Sequence, residues 1–146
     1  MGAIGVFPST GAVNYTSAVP IAVPAQSNGL TLTGNAAGFG TPGAWVEVVA
    51  ASAITTDYVI FGPTTVEKPA AGNGFDLEIG QGALGLETVR GTVGIGGADG
   101  TKPYTLSYLT VGLLFPANAR CAARVRAGGG AVSLTMVRFL AYPIPL

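Results

Sequence analysis

The sequence predicts an all-β protein: a single β-sandwich or jelly-roll-like domain with an extended N-terminal arm. From Trp45 onward, short runs of β-branched and aromatic residues are separated by Gly, Pro, Asn and Asp, which is typical of strands and turns. Helix has one good candidate, residues 44–54, but its valines favour a pleated surface and no clear N-cap precedes it. The 146 residues are enough for one domain with one hydrophobic core.

The arm is assigned to residues 1–40 and the β domain to residues 41–146. No charged residue precedes Glu47, and Pro20 and Pro24 favour an extended path that is neither helix nor central strand. A flexible linker is the alternative, but an apolar, uncharged segment gains free energy when it is covered. We therefore expect the arm to lie against a neighbouring subunit through its larger apolar residues, which are Val6, Phe7, Tyr15, Val19, Ile21 and Val23.

Most of the chain after the arm is predicted to form strands, with Gly, Pro, Asn or Asp between them. Short strands of this kind fit two packed sheets, in which side chains alternate between a core face and an outer face. The predicted strands are residues 30–34, 44–52, 57–62, 75–80, 87–95, 104–115, 119–127 and 131–142.

Two of these segments show a period of two, with apolar residues on one face and charged residues on the other. In residues 75–79, three apolar residues share one face while Asp76 and Glu78 share the other. In residues 120–126, arginines alternate with apolar residues in the same way. Opposite charges on neighbouring strands attract, so we expect these strands to pair across one sheet or across a subunit boundary. The expected partners are the acids Asp76, Glu78 and Glu87 and the arginines Arg120, Arg124 and Arg126.

The same alternation predicts one buried core. Cys121 falls on the inner side of the basic strand, where a thiol behaves as a small hydrophobe, so we expect it to be buried. The single Trp is also assigned to the core. The predicted core residues are Trp45, Phe75, Leu77, Ile79, Leu106, Val125, Leu134 and Val137.

Composition excludes several classes of function. Seven Lys and Arg balance seven Asp and Glu, so there is no basic field to hold nucleic acid or an anionic membrane. The absence of His removes Ser-His-Asp and Cys-His catalysis and His metal sites, and one Cys excludes an internal disulfide. We expect no metal and no cofactor. Because charged residues make up only 10% of the chain, we expect other chains to cover part of the surface.

Two segments offer alternative chemistry, and each has a simpler structural interpretation. Asp76 and Glu78 would stand roughly 7 Å apart on one strand face, a spacing that a carboxylate glycosidase can use. Alternating acids are more often a solvated or ion-paired face. Residues 94–100 contain enough glycine for a nucleotide loop, but they run into Pro103 and not into a helix N-terminus. Asp99 alone supplies too few ligands for calcium.

Targeting signals are not evident in the sequence. The first residues lack the basic n-region of a signal peptide, and Pro8 and several glycines interrupt any apolar h-region. No run approaches the ~18 consecutive apolar residues of a membrane helix. We therefore expect synthesis in a host cytoplasm and no membrane contact.

Three motifs follow one another along the chain. Residues 45–47 read WVE, residues 76–89 read DLEIGQGALGLETV, and residues 115–127 read FPANARCAARVRA. In this order they resemble a pattern of small virion proteins of tailed bacteriophages and related gene transfer agents. The resemblance covers residues 45–127. The sequence departs from the pattern at Asn118, where the pattern favours glycine, and in the long leading arm.

The resemblance implies a virion surface role on a β-sandwich module, either as a head decoration (cement) protein or as a head-spike or tail-fibre component that contacts the host. A compact domain with an uncharged arm suits a protein that clamps capsid subunits, whereas fibres usually carry long repeats and no internal period is present. The leading hypothesis is a non-enzymatic decoration protein, a homotrimer on the capsid surface, that binds the major capsid protein and stabilises its lattice. A spike or fibre is the first alternative and a carboxylate glycosidase is the second.

Overall fold

The computed structural model of the protein describes residues 19–25, 28–67, 74–96, 103–105, 112–128 and 131–145, and the structural statements below concern these residues. They form two antiparallel sheets packed together, which confirms the predicted all-β sandwich. No helix in this part of the chain is long and apolar enough to cross a membrane. The strands are β1 Ile21–Val23, β2 Leu30–Thr33, β3 Val46–Val49, β4 Tyr58–Glu67, β5 Phe75–Gln81, β6 Thr88–Ile95, β7 Pro103–Thr105, β8 Leu113–Phe115, β9 Cys121–Ala127 and β10 Ser133–Pro143.

The larger sheet is organised around β10 and β4. These strands pair from Thr135 opposite Glu67 to Pro143 opposite Tyr58, with two register shifts. β1 and β2 pair with β10, and β7 and β8 pair with opposite ends of β4. The sheet therefore has six strands, with β1 and β2 along one edge and β7 and β8 along the other.

The smaller sheet has the strand order β3-β9-β5-β6. Leu77 of β5 lies opposite Val125 of β9 on one side and Val93 of β6 on the other. The same register places Glu78 opposite Arg124. The acidic strand and the basic strand predicted from the sequence are therefore neighbours in one sheet.

The core fills the space between the sheets, and one predicted core residue lies elsewhere. Leu106 is outside the described residues. The prediction for Trp45 is wrong, because its half-buried ring lies on the outer face of the smaller sheet, over Arg124. The alternate residues Val46 and Val48 pack in the core, which turns Trp45 outward. The other predicted residues are buried in one cluster and are confirmed, namely Phe75, Leu77, Ile79, Val125, Leu134 and Val137.

The predicted arm is wrong over residues 21–33, which belong to the sandwich. β1 and β2 pair with β10 of the same chain, so residue 40 does not divide an arm from the β domain. Pro20 and Pro24 flank β1, and proline is tolerated beside an edge strand because no neighbour needs its missing N–H. Residues 1–18 lie outside the described part. The buried side chains of the two strands are Val23, Leu30 and Leu32.

Strand β4 continues past Gly62, where the predicted strand ended, through Pro63 to Glu67. A proline usually ends a central strand because it cannot donate to the ladder. Here residues 62–64 have no assigned partner in the ladders that β4 forms with β7, β8 and β10. The missing N–H of Pro63 therefore interrupts no described ladder.

Candidate functional site

The outer face of the smaller sheet carries a cluster that we call the charged face, made of Trp45, Glu78, Arg124 and Arg126. Glu78 accepts a hydrogen bond from Arg124 Nε at 2.5 Å and another from Arg126 Nε at 2.7 Å. The Glu78 residue is only 6% exposed. Burial alone would raise the pKa of its carboxyl, but the two guanidinium groups outweigh burial and hold the pKa below its ordinary value. Glu78 is therefore ionised at neutral pH.

The ring of Trp45 covers part of the charged face. The guanidinium carbon of Arg124 lies 4.2 Å from the ring centroid, which is a cation–π contact. The ring also lies against β5, where a Cβ added to Gly80 would be 2.5 Å from Trp45 Cη2. A glycine at position 80 therefore makes room for the indole.

Arg120 connects three segments at one end of the smaller sheet. Its Nε donates to Glu47 at 2.8 Å, and its Nη1 donates to Glu87 at 2.6 Å and to the carbonyl of Gly82 at 3.2 Å. The side chains of Arg120 and Glu87 are 9% and 0% exposed. Burial would raise the pKa of Glu87, but the hydrogen bond from Arg120 holds it below its ordinary value. Arg120 thus fixes both ends of the turn that joins β5 to β6.

That turn, residues 82–87, presents two leucines to solvent, and we call it the leucine turn. Leu84 and Leu86 are 80% and 76% exposed. Gly82 and Gly85 adopt φ values of 143° and 81°, which glycine reaches without the steric cost of a side chain. The turn therefore combines a tip of exposed apolar side chains with a base held by a buried ion pair.

The geometry does not favour the glycosidase alternative. Such an enzyme needs one carboxyl group that is protonated when the reaction starts. Glu78 is instead held ionised between two arginines, while Asp76 is half-buried on the same face. In the part of the chain that the structure describes, no group of three or more His, Cys, Asp or Glu residues is placed to hold a metal ion. The glycine-rich stretch with Asp99 lies largely outside that part.

Cys121 is buried, as predicted. Burial raises the pKa of its thiol to about 12, and the nearby positive charge of Arg120 opposes this only in part. Tyr58 is buried beside it, where it stacks on Phe115 and donates a hydrogen bond to the carbonyl of Ala119 at 2.8 Å. Burial raises the pKa of Tyr58 as well. Both groups are core residues and neither is an activated nucleophile.

The predicted ion pairing between the two strands is confirmed, since each of the three arginines contacts an acid. Arg124 and Arg126 bind Glu78, and Arg120 binds Glu87. Asp76 stands opposite Arg126 in the ladder between β5 and β9. Sequence reasoning did not include Glu47, the second partner of Arg120, among the site residues. The alternation of Glu47 with the apolar Val46 and Val48 was the signal that could have found it.

The apolar residues predicted for an interface differ in their exposure to solvent. Val19 and Ile21 are exposed. Val23 is part of the core, so its assignment to an interface is corrected. The remaining members of that set, Val6, Phe7 and Tyr15, lie outside the described residues.

Asn118 shows why the motif pattern favours glycine at this position. Its φ is 63°, in the left-handed region where glycine is common and asparagine is among the best tolerated alternatives. The backbone N–H of Asn118 donates to the carbonyl of Ile54 at 2.8 Å, and its backbone carbonyl accepts from the backbone N–H of Ser52 at 3.1 Å. The departure from the pattern therefore keeps the backbone geometry that glycine would provide.

Comparison with known proteins does not assign a family. No family model matches the chain, and no curated protein matches it. Among solved structures, the chain is similar to a chain from the structure of infectious bursal disease virus, Gt strain, with 15% sequence identity and a TM-score of 0.42. The alignment covers 99% of this chain and 38% of that chain, so this chain spans well under half of its neighbour's length. A likeness at this level carries no argument about function.

Proposed function

We propose that the chain is a non-enzymatic structural protein of a virion: a head decoration (cement) protein that binds the outer surface of the major capsid lattice as a homotrimer and stabilises it. The observation that carries the proposal is the leucine turn, an uncharged tip with two exposed leucines held in place by Arg120. The resemblance of three sequence motifs to small virion proteins supports a virion of the tailed-bacteriophage class as the particle.

The charges of the chain favour attachment by apolar contact. The chain has a formal net charge of zero, and six of its ionised side chains are paired within the chain, namely Glu47, Glu78, Glu87, Arg120, Arg124 and Arg126. Burying one leucine side chain contributes roughly 1.5–3 kcal/mol before ordering costs. Because the leucine turn is already fixed, little conformational freedom is left to lose on binding. Many copies of one such contact on a shell add up through multivalency.

We assign the proposed arm contact to fewer residues than the sequence analysis did. Val23 belongs to the core, so the contact with a neighbouring subunit is assigned to residues 1–18 together with Val19 and Ile21, which are exposed. The six charged residues first assigned to an interface act indirectly in this proposal. Arg120 and Glu87 hold the leucine turn, and Glu78, Arg124 and Arg126 order the charged face. Asp76 stands opposite Arg126 in the same sheet.

The experiment compares binding of full-length variants to shells assembled from the major capsid protein of the same virus. The double variant Leu84→Ser/Leu86→Ser removes the apolar tip. The matched control, Leu114→Ser/Met136→Ser, removes two exposed apolar side chains of the larger sheet. We expect the first variant to bind at least tenfold more weakly, which corresponds to about 1.4 kcal/mol, and the control to bind like the wild type.

Two outcomes would contradict the proposal. One is wild-type protein that does not bind the shells. The other is the Leu84→Ser/Leu86→Ser variant binding with undiminished affinity while it remains folded by far-ultraviolet circular dichroism. A control variant that loses binding as strongly as the first would also contradict the proposal, because binding would then not depend specifically on the leucine turn.

A further inference from the structure

Strand β6 is a long open edge of the smaller sheet. It comprises Thr88–Ile95 and pairs with β5 on one side, and no described strand pairs with it on the other. Residues 91–95 run in unbroken register against residues 75–79, because the register shift lies nearer the leucine turn. The backbone N–H and C=O groups on the free side of such a strand can pair with another strand.

The other edge strands among the described residues are shorter or already engaged. β3 has four residues, with a register shift between Glu47 and Val49. β8 has three residues, and the carbonyl of Leu114 within it accepts a hydrogen bond from Arg90 at 3.3 Å. β6 is thus the longest of the described edge strands, and its contacts with β8 are made by Arg90 and Gly91, at the end nearer the leucine turn.

β6 also lacks most of the features by which proteins usually protect an edge, apart from a bulge at Arg90, where the register with β5 shifts. The strand contains no proline and no lysine, and Arg90 is its only charged residue. The guanidinium of Arg90 is turned toward its own chain, where it donates to Gln81 Oε1 at 3.1 Å and to Leu114. The side chains of Thr88, Val89 and Thr92 are exposed. The edge is therefore accessible and carries little charge.

We propose that the free edge of β6 is a self-association surface, on which β6 of a second copy pairs antiparallel to form a continuous sheet across two chains. Charge supports a second copy as the occupant. A two-fold contact brings the same patch of both copies together, so charges on that patch repel each other, whereas residues 91–95 of β6 contain no charged side chain. Backbone pairing is self-complementary in an antiparallel arrangement.

This contact does not depend on the proposed capsid role. It is two-fold, so it is separate from a three-fold trimer contact and would join one trimer to the next, or two monomers if the chain is not a trimer. A monomer that pairs in this way doubles in sedimenting mass, and a trimer at least doubles, because it carries three such edges. Failure to bind capsid shells would leave this inference untouched, and failure to double in mass would leave the capsid role untouched.

The test is sedimentation velocity of the full chain over a range of protein concentrations. Thr92→Lys places a lysine at an exposed position in the regular part of β6, where edge lysines oppose pairing. The matched control is Thr31→Lys, at an exposed position of β2 on the larger sheet. We expect the wild type and Thr31→Lys to double in mass at the same concentration, and Thr92→Lys to need at least a tenfold higher concentration.

Hydrogen exchange gives a second readout, because pairing protects backbone amides directly. The amides of residues 91–95 that point away from β5 should gain protection as the wild-type concentration rises, and those of Thr92→Lys should not. A mass that does not double at the highest soluble concentration would overturn the inference, as would doubling that Thr92→Lys leaves unchanged. Amides of β6 fully protected at low concentration would show that a segment of the same chain covers this edge, which also overturns it.

Discussion

The indole of Trp45 lies over Gly80 of β5, so close that a Cβ at position 80 would be 2.5 Å from Trp45 Cη2 and 3.0 Å from the carbonyl oxygen of Thr88. The same indole stacks on the guanidinium of Arg124, which in turn binds Glu78. A small residue on one strand thus allows an aromatic ring to cover an ion pair formed by its neighbours.

Replacement of this glycine should displace the ring. We expect Gly80→Ala to lower the free energy of unfolding by about 1–3 kcal/mol, because the indole must leave its contact with Arg124 or strain β5. Urea unfolding followed by Trp fluorescence measures both the stability and the environment of the ring. The control is Gly94→Ala on the same face, where the nearest atom, Asp76 Oδ1, is 3.9 Å from the added Cβ, and it should change stability by less than about 0.5 kcal/mol. Equal stabilities for the two variants would mean that the indole does not require a glycine at position 80.

The ion pairs of Glu78 should make stability depend on pH in the acid range. The folded-state pKa of Glu78 lies below the ordinary value of 4.5, so its ionisation stabilises the fold above that pH, and this contribution is lost as the pH falls through the folded-state pKa. Glu78→Gln should therefore lose about 1–3 kcal/mol at neutral pH, and its difference from wild type should shrink as the pH falls below 4.5.

The matched control for this prediction is Glu47→Gln, because the Glu47 side chain is 49% exposed where it pairs with Arg120. It should lose less than about 1 kcal/mol, as exposed pairs do. Urea unfolding across the pH range measures both variants. A constant difference between Glu78→Gln and wild type down to about pH 3 would show that the charge of Glu78 contributes nothing to stability.

Arg120 should control the rigidity of the leucine turn. Lysine keeps the positive charge but lacks the planar fork that reaches Glu47, Glu87 and the carbonyl of Gly82 together. Arg120→Lys should therefore speed hydrogen exchange of the amides in residues 82–87. The same substitution at Arg126, on the same strand, should leave these amides unchanged. Identical exchange in wild type and Arg120→Lys would assign the order of the turn to its backbone alone.

Two truncations test where the folded domain begins. Deleting residues 2–18 leaves every described strand intact and should preserve the cooperative unfolding transition. Deleting residues 2–40 removes β1 and β2, exposes one edge of β10 and takes three buried side chains out of the core. We expect the second truncation to be unfolded or to lose most of its stability, as measured by circular dichroism and thermal unfolding. A stable domain starting at residue 41 would restore the boundary that the sequence predicted.

The sequence predicted the two sheets best where one face is entirely apolar. Residues 75–79 alternate throughout and residues 121–125 alternate except at Ala122, and both strands bury the expected face and pair with each other. Trp45 was misassigned because a large aromatic residue was given to the core on its type alone. Trp45 is two residues from Glu47, so both side chains lie on the outer face of the sheet. Only the register between β3 and β9 shows what the ring covers.

The first strands and the details of the charge pairs were not predictable in the same way. Prolines on both sides of β1 indicate an extended segment, but whether it pairs with its own chain depends on β10, more than 100 residues later in the sequence. The sharing of Glu78 by two arginines, and the reach of Arg120 to Gly82 and Glu87, depend on side-chain positions that strand periodicity does not specify.

The copy number of the chain on purified virus particles tests the central claim most directly. Quantitative mass spectrometry of intact particles would compare this chain with the major capsid protein. A decoration protein on the capsid lattice predicts a copy number of the same order as that of the major capsid protein. A few copies per particle would instead indicate a spike or a fibre, and absence from the purified particles would contradict a structural role in the virion.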